Sequence, residues 1–214
     1  GWGINPREDH NAIAQARTPT MDRIASSSPA TTLTTCGRGV GLPEGLMGNS
    51  EVGHLNLGAG RVVMQAMTQI QDRVEDGSLF QNGALTPSMD RVRNTNAKLH
   101  LMGLVSDGGV HSWPGHYAGL LKMAATRGLA PDQVAVHALL DGRDTPPTSG
   151  ADHVRDLVGM IDEAGVGRVV TVCGRYYAMD RDKRWDRNLV AYDLFTLGEG
   201  TAEADPVRAI ENAY

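Results

Sequence analysis

Val134-Ala135-Val136-His137-Ala138-Leu139-Leu140 runs without interruption into Asp141-Gly142-Arg143-Asp144-Thr145-Pro146-Pro147. A seven-residue aliphatic run with one polar member suits a strand covered on both faces, as in a parallel sheet. The abrupt change to Asp, Gly, Arg and Pro marks the loop that ends it. The same pattern lies on either side. Leu99-His100-Leu101-Met102-Gly103-Leu104-Val105 empties into Ser106-Asp107-Gly108-Gly109-Val110-His111, and Val169-Val170-Thr171-Val172-Cys173 into Gly174-Arg175-Tyr176-Tyr177-Ala178-Met179-Asp180-Arg181. Helical spacing fills the intervals: about Tyr117 to Thr126, closed by Arg127-Gly128; from a Ser149 cap to about Ala164, stopped by Gly165; and roughly Trp185 to Leu197. Strands alternating with helices predict an α/β chain of right-handed βαβ units around a parallel sheet.

In such a sheet the carboxyl ends of the strands share one edge, where ligands bind. His111, Arg143 with Asp144, and Arg175 with Arg181 are therefore expected to face a common crevice. Three arginines and a histidine gathered there, in a chain of net charge −5, predict a local anion site, because guanidinium forks match phosphate and carboxylate oxygens in pairs. Taken singly, each has a plainer reading: a solvated loop arginine, a surface histidine, an Asp-Gly turn.

Upstream, Gly48-Asn49-Ser50-Glu51-Val52-Gly53-His54 places a serine hydroxyl at a glycine-flanked turn opening a short helix. Asn49 and Ser50 are capping types, and the first-turn N–H groups they leave exposed suit a phosphate beside the hydroxyl. An ordinary capping serine is the alternative. Thr18-Pro19-Thr20 before Met21-Asp22-Arg23-Ile24-Ala25 predicts a capped helix with proline in its first turn. The spacing from Met64 to Val74 predicts another, ended at Asp76-Gly77-Ser78, with a lobe boundary nearby.

Composition narrows the class. The 214 residues are 41% hydrophobic and 21% charged, ordinary for a globular protein. The acidic balance argues against nonspecific nucleic-acid binding, no apolar run is long enough to span a bilayer, and the start shows no secretory pattern. Two distant cysteines, Cys36 and Cys173, allow at most one disulfide and suit a reducing cytoplasm. Gly37-Arg38-Gly39-Val40-Gly41 has the wrong spacing for a dinucleotide fingerprint, and Pro43 blocks a helix directly after it.

Taken together, Leu42 to Arg61 around Ser50, Val105 to Ser112, His137 to Pro147 and Gly174 to Asp182 resemble the signature segments of the cofactor-independent (2,3-bisphosphoglycerate-independent) phosphoglycerate mutases, in that family's order. The resemblance implies an alkaline-phosphatase-like domain carrying an inserted α/β phosphotransferase domain, with residues 1–64 in part of the former and 65–214 in part of the latter. It implies that 3- and 2-phosphoglycerate interconvert, in glycolysis and gluconeogenesis, through a phosphoserine on Ser50. Asp144 would be the proton shuttle, and His111, Arg143, Asp144, Arg175 and Arg181 would hold the substrate. Two divalent ions, usually manganese, would assist. Of their ligands only Ser50 has a counterpart here, because the family's aspartate before Gly1-Trp2-Gly3 and its later ligands match no position of this sequence. A monomeric, partial mutase is the expectation. A phosphatase- or sulfatase-type hydrolase and a partial domain that only binds a phosphorylated ligand are the alternatives.

Overall fold

The structure, a computed structural model, describes residues 3–214; the opening Gly1-Trp2, part of the motif compared above, lies outside the described residues. The chain forms two compact units, Gly1–Thr35 and Cys36–Tyr214. Compactness puts a division after Thr35 and does not part the residues on either side of Met64, because the Gly41 carbonyl accepts from Gln65 N–H at 2.8 Å and from the Thr68 hydroxyl at 2.7 Å.

In the first unit, α1 (Ala12–Gln15) is capped by Asn11, whose side chain accepts from the N–H groups of Ile13 and Ala14. The next helix, α2 (Pro19–Ser27), starts with the predicted proline. Its expected Thr18 cap is not made; that hydroxyl donates to Asp22 Oδ1 at 2.9 Å instead.

The second unit continues with α3 (Ser50–Ala59), α4 (Ala66–Glu75) and α5 (Leu85–Asn94). Then come β1 (Leu99–Val105), α6 (Pro114–Thr126), β2 (Val134–Leu140), α7 (Gly150–Ala164) and β3 (Arg168–Gly174). The chain closes with α8 (Arg175–Ala178), α9 (Trp185–Leu197) and α10 (Pro206–Glu211). Proline sets the start of α6 three residues before the predicted one, since its fixed φ suits a first helical position. Ser149 precedes α7 without a capping bond, its hydroxyl turned to Pro146 O, while Gly165 ends the helix at φ 67° as predicted.

The three strands form one parallel sheet in the order β1-β2-β3. Central β2 is buried along nearly its whole length, which is why its sequence does not alternate. One face packs Val105, Val134, Val136 and Ala138 against Met89, Leu121, Met123, Val154, Leu157 and Ile161 of α5, α6 and α7. Leu121 and Leu157 are at most 1% exposed, and burying a side chain of this size contributes about 1.5–3 kcal/mol. The other face carries a smaller cluster, Leu104, Leu139 and Cys173 under Ala191 of α9.

A bulge shifts the β2–β3 register: Val136 pairs with Val169, but His137 pairs with Thr171. The extra residue, Val170, is left without a partner. Thr171 is thereby placed opposite His137, and its hydroxyl lies 2.8 Å from His137 Nδ1.

Candidate active site

The carboxyl edge of the sheet is organised by a carboxylate that sequence reading passed over as a turn residue. Asp141 follows β2, and its side chain is 1% exposed. Its Oδ1 accepts from the N–H groups of Arg143 at 3.1 Å and Asp144 at 3.0 Å, an Asx-type turn. The Arg175 guanidinium donates to the same oxygen at 2.8 Å. Oδ2 accepts the Ser106 hydroxyl at 2.7 Å. One residue after each strand therefore meets here: Ser106 after β1, Asp141 after β2 and Arg175 after β3. Burial alone would raise the Asp141 carboxyl. The bonds from Asp144 N–H, Ser106, Arg175 and Arg143 N–H outweigh it and hold the group at about 2.

Arg175 is pinned rather than loose. Its Nη1 also donates to Asp144 Oδ2 at 2.6 Å, and the side chain is 10% exposed. Burial opposes its charge, but the two carboxylates raise its basicity further. Of the five predicted site residues on this edge, Asp144 and Arg175 are brought into direct contact. His111, Arg143 and Arg181 are exposed, in the loops that follow the strands.

Glycines let the first two loops close on each other. A Cβ on Gly108 would stand 3.2 Å from both Asp144 Cβ and Thr145 Cγ2. At Gly109, with φ +68°, it would fall 2.4 Å from Leu46 Cδ1. Leu46 belongs to the segment leading to Ser50, so that segment lies against the loop after β1, which in turn lies against Asp144 through Gly108.

Ser50 is the first residue of α3 and is exposed; the cap is Asn49, whose Oδ1 accepts from Val52 N–H at 3.1 Å. One turn later, His54 Nδ1 lies 2.7 Å from the Ser50 carbonyl and 3.2 Å from Ser50 Oγ. A carbonyl can only accept, so Nδ1 carries the proton. His54 thus steadies the serine as a donor and is not poised as its base. This contact follows from i, i+4 spacing on a helix.

Among the described residues no group of three or more His, Cys, Asp or Glu side chains is arranged to hold a metal ion. The residues present do not by themselves fit the ion pair expected from the resemblance. Both cysteines are free, Cys36 exposed and Cys173 buried, so the disulfide that the sequence allowed does not form. Two grooves of about 590 and 420 Å³ lie beside β3, one lined by Thr171, Leu194 and Gly198, the other by Asp162, Arg168 and Pro206. Neither is lined by a residue of the strand-end cluster.

A parallel α/β unit with an arginine-bearing carboxyl edge, and a serine-headed helix leading from a segment packed on it, defines a protein of the parallel α/β class, whose ligands bind at that edge. The family profile described as BPG-independent PGAM N-terminus (iPGM_N) matches residues 70–214. Among the proteins similar to the chain are three 2,3-bisphosphoglycerate-independent phosphoglycerate mutases. That of Thermomicrobium roseum is 54% identical over all 214 residues, that of Clostridium perfringens strain 13 is 50% identical over the same span, and that of Synechococcus elongatus is 52% identical over 204 residues. The matches cover 100%, 100% and 95% of this chain but only 40%, 41% and 38% of those relatives. The crystal structure of Leishmania mexicana phosphoglycerate mutase at low cobalt concentration superposes with a TM-score of 0.72 at 31% identity, over 99% of this chain and 40% of that one. The chain belongs to the 2,3-bisphosphoglycerate-independent phosphoglycerate mutase family, and it spans about 40% of the length of the relatives it matches.

No helix among the described residues is long and apolar enough to cross a membrane.

Proposed function

We propose that this chain contributes the phosphoryl-accepting serine and part of the phosphoglycerate cradle to a mutase that interconverts 3- and 2-phosphoglycerate. The observation that carries the reading is the contact of Leu46 with the Gly109 turn, which makes the serine-bearing segment and the Asp144–Arg175 edge contiguous. In this reading Ser50 Oγ forms a bond to phosphorus as the bond to the glycerate oxygen breaks. The seryl proton passes to water, and Asp144, a carboxylate beside Arg175, relays one from water to the departing oxygen. In the return step Asp144 takes up the proton of the second hydroxyl, and water returns one to Ser50 Oγ as its bond to phosphorus breaks. His111, Arg143 and Arg181 hold substrate oxygens, joined by the side edge of Arg175, while Arg143 and Asp144 are fixed by their backbone bonds to Asp141.

Two divalent ions, manganese by family resemblance, would activate the hydroxyl and neutralise phosphate oxygens. Ser50 is the residue of this chain assigned to them. The reaction belongs to glycolysis and gluconeogenesis, and a cytoplasmic location follows from that assignment.

Two measurements test the reading. In a polypeptide carrying these residues at the relatives' full length, Ser50→Ala is expected to abolish turnover; mutase activity near the parent level would overturn the nucleophile assignment. In the 214-residue chain, NMR titration with 3-phosphoglycerate should give millimolar affinity, about −4 kcal/mol. Shifts should be confined to the loops after β1, β2 and β3. Arg181→Ala should weaken binding roughly tenfold, the loss of one charge-assisted bond, while Arg91→Ala on α5 should not. Shifts scattered over the surface would argue against a cradle.

A further inference from the structure

We propose that Asp141 is a positioning residue that selects which edge of Arg175 is offered to the ligand, an inference that rests on the reading of this edge as the phosphoglycerate cradle. The geometry carries it. Arg175 Nη1 has two hydrogens, and both are spent, one on Asp141 Oδ1 at 2.8 Å and one on Asp144 Oδ2 at 2.6 Å. Among the described residues Nε and Nη2 have no hydrogen-bond partner, and they are not among the buried unpaired atoms, so they keep some access to solvent. Those two groups form the side edge of the guanidinium, the pair that matches two oxygens of one phosphate or carboxylate.

The cluster is not an anion trap by charge. One arginine between two carboxylates sums to one negative charge, so in this reading attraction comes from the exposed His111, Arg143 and Arg181 of the neighbouring loops. What Asp141 supplies is orientation. Its carboxylate is held by Ser106 on one oxygen and by two backbone N–H groups on the other. A side chain fixed at that many points cannot follow Arg175; Arg175 must follow it. With a neutral residue at position 141, Asp144 would remain the one carboxylate on Arg175. A lone carboxylate draws a guanidinium into a two-point fork, which would consume the edge now open to solvent.

Asp141→Asn separates orientation from folding. Asn Oδ1 can still accept from the Arg143 and Asp144 N–H groups, and its amide can donate to the Ser106 hydroxyl. In the 214-residue chain, ¹⁵N relaxation of the Arg175 Nε–H group should report a rigid side chain in the parent and a re-oriented or mobile one in Asp141→Asn. Affinity for 3-phosphoglycerate should fall at least threefold in Asp141→Asn, and the same substitution should change nothing further in an Arg175→Ala background. Ser106→Ala, which removes one anchor of Asp141 and keeps its charge, should loosen Arg175 partially and serves if Asp141→Asn fails to fold. An unchanged Arg175 resonance in a folded Asp141→Asn chain overturns the proposal. So does tighter binding, or an equal loss of affinity in both backgrounds. A parent chain that binds no 3-phosphoglycerate would sink the cradle reading, while the relaxation measurement would still decide whether Asp141 positions Arg175.

Discussion

His100 Nδ1 and His137 Nε2 lie 2.9 Å apart across β1 and β2, with the rings stacked at 5.2 Å and His137 almost fully buried. Burial, and then His100, hold the His137 pKa below its ordinary value of 6.5. The folded form therefore takes up its proton at lower pH than the unfolded chain does. Stability is complete above about pH 6.5 and is lost as pH falls through the folded value. Urea unfolding at pH 7 and pH 5 should show a lower midpoint at pH 5. Replacing His137 with Gln should reduce that difference, leaving a remainder from His116, which burial also lowers. An identical difference in both proteins would refute the assignment.

Asp141 works at a more acidic range. Its folded value of about 2 against 3.8 unfolded corresponds to about 2 kcal/mol. That contribution is present above pH 4 and is lost as pH falls towards 2. Acid titration followed by near-ultraviolet circular dichroism should show the Asp141→Asn chain less stable than the parent at pH 6. The two should converge near pH 2. A constant gap between them would mean the carboxylate charge is not responsible.

Helix α3 separates structural from chemical roles at adjacent residues. Asn49→Ala removes the bond to Val52 N–H and should cost about 1 kcal/mol. Ser50→Ala removes an exposed hydroxyl from the first helical position and should stay within ~0.5 kcal/mol. Chemical denaturation of the two variants checks this. A larger loss from Ser50→Ala would make Ser50 a structural residue.

Gly41 and Gly45 both have positive φ, +86° and +82°, yet their tolerance should differ sharply. A Cβ at Gly41 would lie 2.0 Å from Val63 O, whereas nothing stands within 4 Å at Gly45. Gly45→Ala should cost roughly 1 kcal/mol, the conformational term alone. Gly41→Ala adds a backbone collision in the region where the Gly41 carbonyl accepts the buried Thr68 hydroxyl at 2.7 Å, and should cost more than about 3 kcal/mol. Similar melting temperatures for the two variants would contradict the packing described here.

Much of the sheet was legible because its strands carry their own signal. Val134 to Leu140 and Leu99 to Val105 are aliphatic runs ended by Asp, Ser and Gly, and the structure begins and ends β2 and β1 at those residues. The bounds of α9 also agree. Helix α5 was missed because Asn82, Gly83 and Pro87 look like loop residues. Asn82 in fact accepts from the N–H groups of Ala84 and Leu85, and Pro87 sits in the first turn, where its missing N–H costs little. The continuity of the second unit across Met64 left no mark in composition, since it depends on contacts between distant residues, such as the Thr68 hydroxyl on the Gly41 carbonyl. At the candidate site the charged loops could be read. The pairing of Arg175 with Asp141 and Asp144 could not, because an Asp-Gly dipeptide carries no trace of a partner 34 residues away.

Ser106, Asp141 and Arg175 follow one another at separations of 35 and 34 residues, so each strand–helix repeat supplies one member of the cluster. What holds the three together is the alignment of neighbouring strands, and the crossovers serve only to return the chain to the same edge. Lengthening the exposed stretch Ala130 to Asp132 between α6 and β2 should therefore leave the cluster standing, as tolerated insertions at exposed loop tips generally do. A slip of one residue between paired strands would turn the side chains to the opposite face and dismantle it. Over evolutionary time, this edge can accept changes in the length of its connections far more readily than changes in the phase of its strands.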